Sequence, residues 1–146
     1  MLRILRPIYD AIRAHGEQTY PRECCGALLG KRSKAGWYVE QCVETGNMYT
    51  DLGHNHYQIS PLDLMGIERK SRELGLEIAG FYHSHPDHPA QWSQSDISEA
   101  HWIGCSYAIT AVEHGKAILT KSFTLTGTTE ETKQFEPETI EIVDVS

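Results

Sequence analysis

The sequence lacks the features of a membrane or exported protein. Its 146 residues contain no apolar run near the roughly 20 residues that a membrane-spanning helix requires. The arginines of the first ten residues stand near Pro7 and Asp10, without an apolar signal core or a small-residue cleavage site. We therefore expect a cytoplasmic protein that has no membrane partner.

Positive charge is scarce as well. The chain has 13 Lys and Arg against 20 Asp and Glu, which gives a net charge of −7 with His neutral. Because nucleic-acid binding requires a basic face that displaces counterions, this balance argues against a general nucleic-acid partner. The hydrophobic fraction of 40% and the charged fraction of 23% are ordinary for a globular protein of this length.

No CxxC pair occurs among the four cysteines, Cys24, Cys25, Cys42 and Cys105. A zinc ribbon or a thioredoxin-type redox motif is therefore not indicated. Cys24 and Cys25 are adjacent, so their side chains would point to opposite faces of a strand. Without a secretory signal, we interpret all four as reduced and mostly buried thiols.

Apolar spacing and turn signals predict helices and strands that alternate early, followed by a strand-rich second half. Helices are predicted over 7–19 and 61–75 and from Ser93 onward, with Ser60 as the N-cap of the second helix. The predicted strands cover 24–32, 36–44, 57–60, 76–85, 106–113, 116–126 and 139–145. This order predicts an α/β fold, in which a single domain has a mixed sheet flanked by helices.

The end of the chain differs in composition from the rest. We predict one domain over residues 1–126, followed by an acidic C-terminal extension over residues 127–146. The extension is expected to form an added edge strand or a dimer element, and a disordered tail is the alternative. A homodimer is therefore left open.

The stretch HSHPDHPAQWSQSD, residues 83–96, concentrates polar side chains that can carry chemistry. His83 and His85 stand two residues apart at the end of a predicted strand, so their imidazoles would share one face. Both could reach one metal ion, but a catalytic zinc usually has three protein ligands and one open position. A nearby carboxylate, His or Cys has to supply the third ligand.

Asp96 is the best candidate for that third ligand. It follows His85 by 11 residues, across a proline-containing loop that can fold back. With Ser93 as an N-cap, Asp96 falls at the third helical position, where the helix start favours an ionised carboxylate. The same S-x-x-D pattern is a common capping signature without any metal, and taken alone it favours that simpler interpretation.

HSHP followed by SQSD resembles the signature of the JAMM (MPN-plus) zinc metalloproteases, H-[ST]-H-P followed at matching spacing by S-x-x-D. The order of predicted elements is similar to the small bacterial members over roughly residues 1–126. The resemblance implies the cytidine-deaminase-like JAMM/MPN fold, with a mixed curved sheet. It also implies one Zn²⁺ held by His83, His85 and Asp96, and hydrolysis of an amide or isopeptide bond.

The resemblance further implies a general base on an earlier strand. Glu23, in YPRECCGALLG, matches in type and place because it directly precedes a predicted buried strand. Without the resemblance, a solvated strand start or an ion pair with Arg22 or another arginine is the simpler interpretation. Ser93 is the expected donor to the developing oxyanion, since one hydroxyl can accept a bond as a cap and donate another.

The loop is especially similar to the family branch that acts on ubiquitin-like sulfur-carrier proteins. That likeness implies a substrate whose C-terminal Gly-Gly carries Cys or a short extension, which the enzyme releases. Removal of a ubiquitin-like modifier from Lys is one alternative, and a non-catalytic interaction module of the same fold is another. Gln91 and Trp92 replace the Arg-Pro that the family often has, so the pocket wall near the loop is expected to differ.

A second histidine pair, His54 and His56, lies in a polar loop and has no companion carboxylate at a known spacing. We favour a solvated loop for this pair, and contact with the substrate tail is the alternative.

Overall fold

An eight-stranded mixed sheet forms the centre of the protein, in a computed structural model that describes residues 1–48 and 56–145. The strands are β1 Leu2–Leu5, β2 Cys25–Ser33, β3 Gly36–Thr45, β4 Glu77–Pro86, β5 Ser106–Glu113, β6 Lys116–Thr126, β7 Gln134–Glu138 and β8 Ile140–Val143. They lie in the spatial order β7-β6-β5-β4-β2-β3-β1-β8. The helices are α1 Arg6–Thr19, α2 Pro61–Leu74 and α3 Gln94–Glu99.

The centre of the sheet consists of β2, β4 and β5, whose residues are buried over most of their lengths. Such continuous apolar runs are typical of strands that are covered on both faces. β4 pairs antiparallel with β2 and parallel with β5. The register opposes His83 to Cys25 on one side and Pro86 to Val112 on the other. The carboxyl end of β4 therefore lies between two neighbouring strands.

Each face of the sheet has its own apolar core. On one face, Ile12 of α1 packs with residues such as Leu28 and Val39. On the other face, Ile67 of α2 packs with residues such as Phe81 and Tyr107. The expected α/β architecture, a mixed sheet flanked by helices, is confirmed. Within residues 1–48 and 56–145, no helix is long and apolar enough to cross a membrane.

The predicted helix over 61–75 is confirmed together with its boundaries. The Ser60 hydroxyl accepts a hydrogen bond from the Asp63 backbone N–H at 3.1 Å, as an N-cap does. Gly75 ends the helix with a left-handed φ of 67°, which glycine adopts without steric strain.

The strand predicted over 57–60 is wrong. This segment has no regular secondary structure, and the Gln58 backbone N–H donates to the Asn47 side-chain carbonyl at 3.0 Å. The Gln58 carbonyl accepts from the Met48 N–H at 2.9 Å. Its backbone groups therefore pair with a loop rather than with a neighbouring strand.

Two of the shortest strands lie outside the predicted set. The missed strand β1 has only 4 residues, and its Leu2 and Ile4 are buried while Arg3 and Leu5 are half-buried. β7 follows the long β6 and pairs antiparallel with it. β8, which the sequence predicts within 139–145, runs parallel to β1. Residues 134–143 thus add one strand to each edge of the sheet.

Candidate metal centre and comparisons with known proteins

The two histidines at the end of β4 converge as the strand period predicts. His83 is 2% exposed and His85 is 5% exposed, and their Nε2 atoms lie 3.2 Å apart. Ser84, between them, points away and accepts a hydrogen bond from the Cys24 backbone N–H at 2.8 Å.

Asp96 makes contacts that fit both interpretations of its motif. It forms a capping box with Ser93, because the Asp96 N–H donates to Ser93 Oγ at 3.2 Å and the Ser93 N–H donates to Asp96 Oδ2 at 2.9 Å. The same carboxylate also reaches both imidazoles. Its Oδ1 lies 3.2 Å from His83 Nε2, and its Oδ2 lies 3.1 Å from His85 Nε2. The cap therefore holds the carboxylate against the two histidines.

The three groups fit a tetrahedral metal ion. Bonds of about 2.0–2.1 Å to zinc place neighbouring ligand atoms of a tetrahedron about 3.3 Å apart. The two Nε2 atoms lie 3.2 Å apart, and each has a different Asp96 oxygen as its neighbour, Oδ1 at 3.2 Å from His83 and Oδ2 at 3.1 Å from His85. Two imidazole nitrogens and one carboxylate oxygen are also a donor set that zinc accepts.

Charge in this cluster favours a cation. Burial alone raises the pKa of Asp96, but the charge and hydrogen bond of His83 and the hydrogen bonds from His85 and Ser93 lower it well below its ordinary value. Burial lowers the pKa of His83, although the charge of Asp96 and its hydrogen bond act in the opposite direction. For His85, the hydrogen bonds with Asp96 and Pro89 outweigh burial, and the pKa is raised. A buried anion thus sits beside two imidazoles.

The two histidine rings are held in different ways. His85 Nδ1 lies 2.9 Å from the Pro89 carbonyl, a contact that leaves Nε2 free to face a metal. His83 Nδ1 has no hydrogen-bond partner among the described residues. Instead, the Tyr57 ring stacks on the His83 ring, with centroids 4.2 Å apart and planes inclined by 19°. Sequence reasoning missed this role of Tyr57, because the contact crosses 26 residues and follows no motif.

Glu23 lies next to this cluster, just before β2. It is 5% exposed, and neither carboxylate oxygen has a hydrogen-bond partner among the described residues. One of its oxygens lies within 4.8 Å of a nitrogen of each histidine. The solvated strand start and the arginine ion pair considered for Glu23 are therefore both wrong. Burial raises the pKa of Glu23 to about 8, an effect opposed by the charge of His85.

Asn47 fixes the backbone around Glu23. Its Nδ2 donates to the Glu23 carbonyl at 3.4 Å and to the His56 carbonyl at 3.0 Å. Through Gln58, whose N–H it accepts, Asn47 also holds the segment that carries Tyr57. One amide therefore links the strand of Glu23 to the ring that stacks on His83. Residue His54 of the second histidine pair lies outside the described residues.

One cleft borders His85 and another borders Glu23. One, of about 180 Å³, is lined by His85, His88, Pro89, Gln91 and Ser93. The other, of about 550 Å³, is lined by Glu23, Cys24 and residues 18–22 and 45–47. Trp92 packs against Phe135 of β7, with ring centroids 5.7 Å apart. Gln91, where the sequence departs from the family, thus forms part of a wall near Ser93.

The fold and the cluster define a class of protein: an α/β domain with a His-His-Asp centre and an adjacent glutamate. Comparison with known families agrees, because residues 5–126 match the family described as prokaryotic homologs of the JAB domain. The chain belongs to this family, which is the small bacterial JAMM/MPN family that the HSHP motif indicates.

Curated relatives include two proteins whose names refer to conjugate cleavage. A probable TtuB-protein conjugate cleaving protease of Thermus thermophilus is 31% identical over 102 residues, covering 70% of this chain and 65% of that protein. A desampylase of Haloferax volcanii is 28% identical over 104 residues, covering 68% and 73%. A tail tip assembly protein K of Escherichia phage N15 is 36% identical over 90 residues, covering 62% and 32%. The chain thus spans less than two thirds of the length of the Thermus and phage proteins.

Solved structures support the same fold. A protein from Desulfitobacterium hafniense is 27% identical with a TM-score of 0.79, covering 99% of this chain and 93% of that one. A JAB1/MPN domain protein from Archaeoglobus fulgidus is 16% identical with a TM-score of 0.60, covering 98% and 97%. The expected JAMM/MPN fold is therefore confirmed.

Proposed function

We propose that this protein is a zinc-dependent peptidase that cleaves the amide bond after the C-terminal Gly-Gly of a ubiquitin-like sulfur-carrier protein. The product is the carrier with a free Gly-Gly end, together with Cys or a short extension. The observation that carries the proposal is the convergence of His83, His85 and Asp96 beside the buried, unpartnered Glu23. In this proposal residues 1–126 are the catalytic domain, and residues 127–146 are an extension.

His83, His85 and Asp96 would hold the zinc ion, and Ser93 and Glu23 act beside it. Bound zinc supplies a water of lowered pKa and polarises the scissile carbonyl. Glu23 accepts the proton of the attacking water on a carboxylate oxygen and then delivers it to the departing amine nitrogen. In the metal-free protein burial raises the pKa of this carboxyl to about 8. A bound cation would lower that pKa and favour the carboxylate form that accepts the proton.

In this proposal Ser93 donates a hydrogen bond to the oxyanion. Its Oγ accepts the Asp96 N–H at 3.2 Å, and the hydroxyl lies 3.0 Å from Ser95 Oγ. A hydroxyl has one donor hydrogen and two acceptor lone pairs, so the Ser93 hydrogen is available for the substrate when Ser95 is the donor in the contact between the two hydroxyls. Ser93 also lines the cleft of about 180 Å³, which gives a substrate carbonyl a path to it.

An isopeptidase that removes a ubiquitin-like modifier from Lys is the second candidate. The names of the Thermus and Haloferax relatives favour it, because they refer to conjugate cleavage and desampylation. The chemistry at the metal is the same, and only the leaving amine differs. A non-catalytic module of the same fold is disfavoured, because all five polar side chains of the site are present and buried or half-buried. Cytoplasmic location and a homodimer stay predictions.

Mass spectrometry of two substrates tests this proposal. One is a ubiquitin-like carrier that ends in Gly-Gly-Cys, and the other is the same carrier linked through its Gly-Gly to a lysine side chain. We expect zinc-loaded protein to release Cys from the first substrate, a chelator to stop the reaction, and added zinc to restore it. Cleavage of the Lys-linked substrate alone would instead establish the isopeptidase. Chelator-resistant cleavage, or none of either substrate, contradicts a zinc peptidase.

A further inference from the structure

The larger cleft lies on the side from which the leaving group must depart. If Glu23 delivers a proton to the leaving nitrogen, the two atoms must approach to about 3 Å. The leaving residue therefore lies next to Glu23 rather than next to Ser93. The cleft of about 550 Å³ is lined by Glu23 and is the space available there.

The cleft carries charges of both signs. Its lining contains one cation, Arg22, and one carboxyl, Glu23, among neutral groups that include Gln18 and Asn47. The Arg22 side chain is exposed, and its guanidinium makes no ion pair or hydrogen bond with the described residues, while its backbone N–H donates to the Thr19 carbonyl at 2.9 Å. Glu23 is buried and also has both oxygens unpartnered among those residues. Arg22 and Glu23 thus line the same cleft, Arg22 with an exposed side chain and Glu23 with a carboxylate that is closed off from solvent beside His83 and His85.

Hydrolysis generates a product that matches this pair of charges. The C–N bond breaks, the hydroxyl of water joins the glycine carbonyl carbon, and a proton joins the nitrogen. When the leaving residue is the last of its chain, the product is a free amino acid with an ammonium and a carboxylate. The ammonium forms beside Glu23, and the planar guanidinium of Arg22 suits a carboxylate through two parallel hydrogen bonds.

We propose that this cleft binds a leaving residue with a free α-carboxylate and that Arg22 is the residue that determines this specificity. The proposal rests on the peptidase function above and narrows its substrate to a carrier with one added C-terminal residue. A lysine that leaves from an isopeptide bond departs as a side-chain amine, and its own carboxyl group is bound in the peptide chain. An isopeptide substrate therefore offers the cleft no free α-carboxylate to bind.

Matched substrates test the role of the carboxylate. Carriers that end in Gly-Gly-Cys are prepared with a free acid or with an amide at the C-terminus, and kcat/KM is measured for each. The wild-type protein is expected to prefer the acid by about 10- to 100-fold, the range for losing a hydrogen bond between charged groups. Arg22→Gln should lower kcat/KM for the acid by a similar factor and change the amide less than twofold.

Two further variants separate geometry from charge. Arg22→Lys keeps the charge without the planar fork, so we expect an intermediate preference for the acid. Arg69→Gln removes an exposed arginine from α2 and should leave both substrates unchanged. Equal cleavage of acid and amide by the wild type would overturn the inference. So would an equal loss on both substrates in Arg22→Gln, or the same loss in Arg69→Gln.

A binding measurement keeps this inference separate from the proposed peptidase function. Alanine and alaninamide, which lack a metal-binding thiol, are titrated into the zinc-loaded protein and followed by NMR. Alanine should shift signals of Gln18, Arg22 and Asn47, alaninamide should shift them much less, and Arg22→Gln should abolish the difference. Binding of this kind without any hydrolysis would refute the peptidase and keep the carboxylate site. Hydrolysis without any preference for alanine would refute the carboxylate site alone.

Discussion

The two sides of the candidate metal centre differ in how many of their buried polar atoms have hydrogen-bond partners in the protein. On the Asp96 side, the carboxylate accepts from Ser93 and contacts both histidines, and His85 Nδ1 meets the Pro89 carbonyl. On the Glu23 side, two carboxylate oxygens and His83 Nδ1 are buried without partners among the described residues. Buried polar groups are normally paired, so the second side carries a free-energy penalty that the first avoids.

The difference distinguishes a group that binds the metal, Asp96, from a group that exchanges protons, Glu23. A ligand gains from fixed orientation, and hydrogen bonds of the surrounding protein provide it. A group that exchanges protons must keep its oxygens free for the water and the leaving nitrogen, and it has to tolerate the burial. Substitution of Glu23 should therefore affect the reaction rate, whereas substitution of Asp96 should affect metal content and folding.

The largest effect is expected for Glu23→Gln. The amide keeps the size of the side chain but cannot accept the proton, so kcat should fall by about 100- to 10,000-fold, the range for general acid–base catalysis. Zinc content, measured by elemental analysis, should equal that of the wild type. Loss of zinc in Glu23→Gln would assign Glu23 to the metal, and unchanged activity would remove it from the mechanism.

Ser93→Ala is expected to have the second-largest effect, because Ser93 caps the helix of Asp96 and also donates to the oxyanion in the proposed mechanism. Losing an oxyanion donor should lower kcat by about 100- to 1,000-fold. Losing the N-cap should lower the free energy of unfolding by about 0.5–2 kcal/mol. Ser60→Ala is the matched control, since Ser60 caps α2 in the same way away from the reacting groups. If both variants lose similar stability and similar activity, Ser93 is only a cap.

Asp96→Ala tests directly whether Asp96 binds the metal. It removes one of three ligands and half of the capping box, so zinc affinity should fall by at least about 100-fold, beyond the range for residues that only support a ligand. Competition with a chromophoric chelator measures the affinity. If zinc stays stoichiometric and only thermal stability falls, capping is the whole role of Asp96.

The residues that these variants change could be found from sequence because their geometry is local. His83 and His85 share a face through the period of one strand, and Ser93 and Asp96 meet in one helical turn. Glu23 was different, since its sequence position matched the family while its burial and missing partners required the folded chain. The long apolar strands and α2 were predicted for the same local reasons.

The features that could not be predicted from the sequence depend on contacts between distant parts of the chain. β1 consists of four residues that become a strand only because β3 and β8 flank it. The stacking of Tyr57 on His83 and the hydrogen bond from Asn47 to the Glu23 carbonyl likewise join residues that share no periodic pattern. Neither composition nor spacing predicts such contacts, so the structure was needed to identify the groups that support His83.

A smaller effect on zinc affinity is expected for substitution of Tyr57, which tests whether the two histidine rings are held in different ways. Because stacking rather than a hydrogen bond holds the His83 ring, Tyr57→Leu should lower zinc affinity by about 10-fold, at the low end of values for supporting residues. Tyr57→Phe keeps the ring and should retain the wild-type affinity. Equal weakening in both variants would indicate that the hydroxyl, and not the stacked ring, supports the site.

The smallest effect concerns the pH dependence of folding in the metal-free protein. Burial raises the pKa of Glu23 from 4.5 to about 8, so the folded protein retains a proton that the unfolded chain releases. The resulting stabilisation is complete below pH 4.5 and is lost as the pH rises to about 8. The side-chain amide of Glu23→Gln does not titrate, so this variant does not lose stability in this way as the pH rises. Urea unfolding with a chelator should therefore show the variant gaining stability over the wild type between pH 5 and 8. A constant difference would mean that Glu23 has a protein partner when the metal is absent.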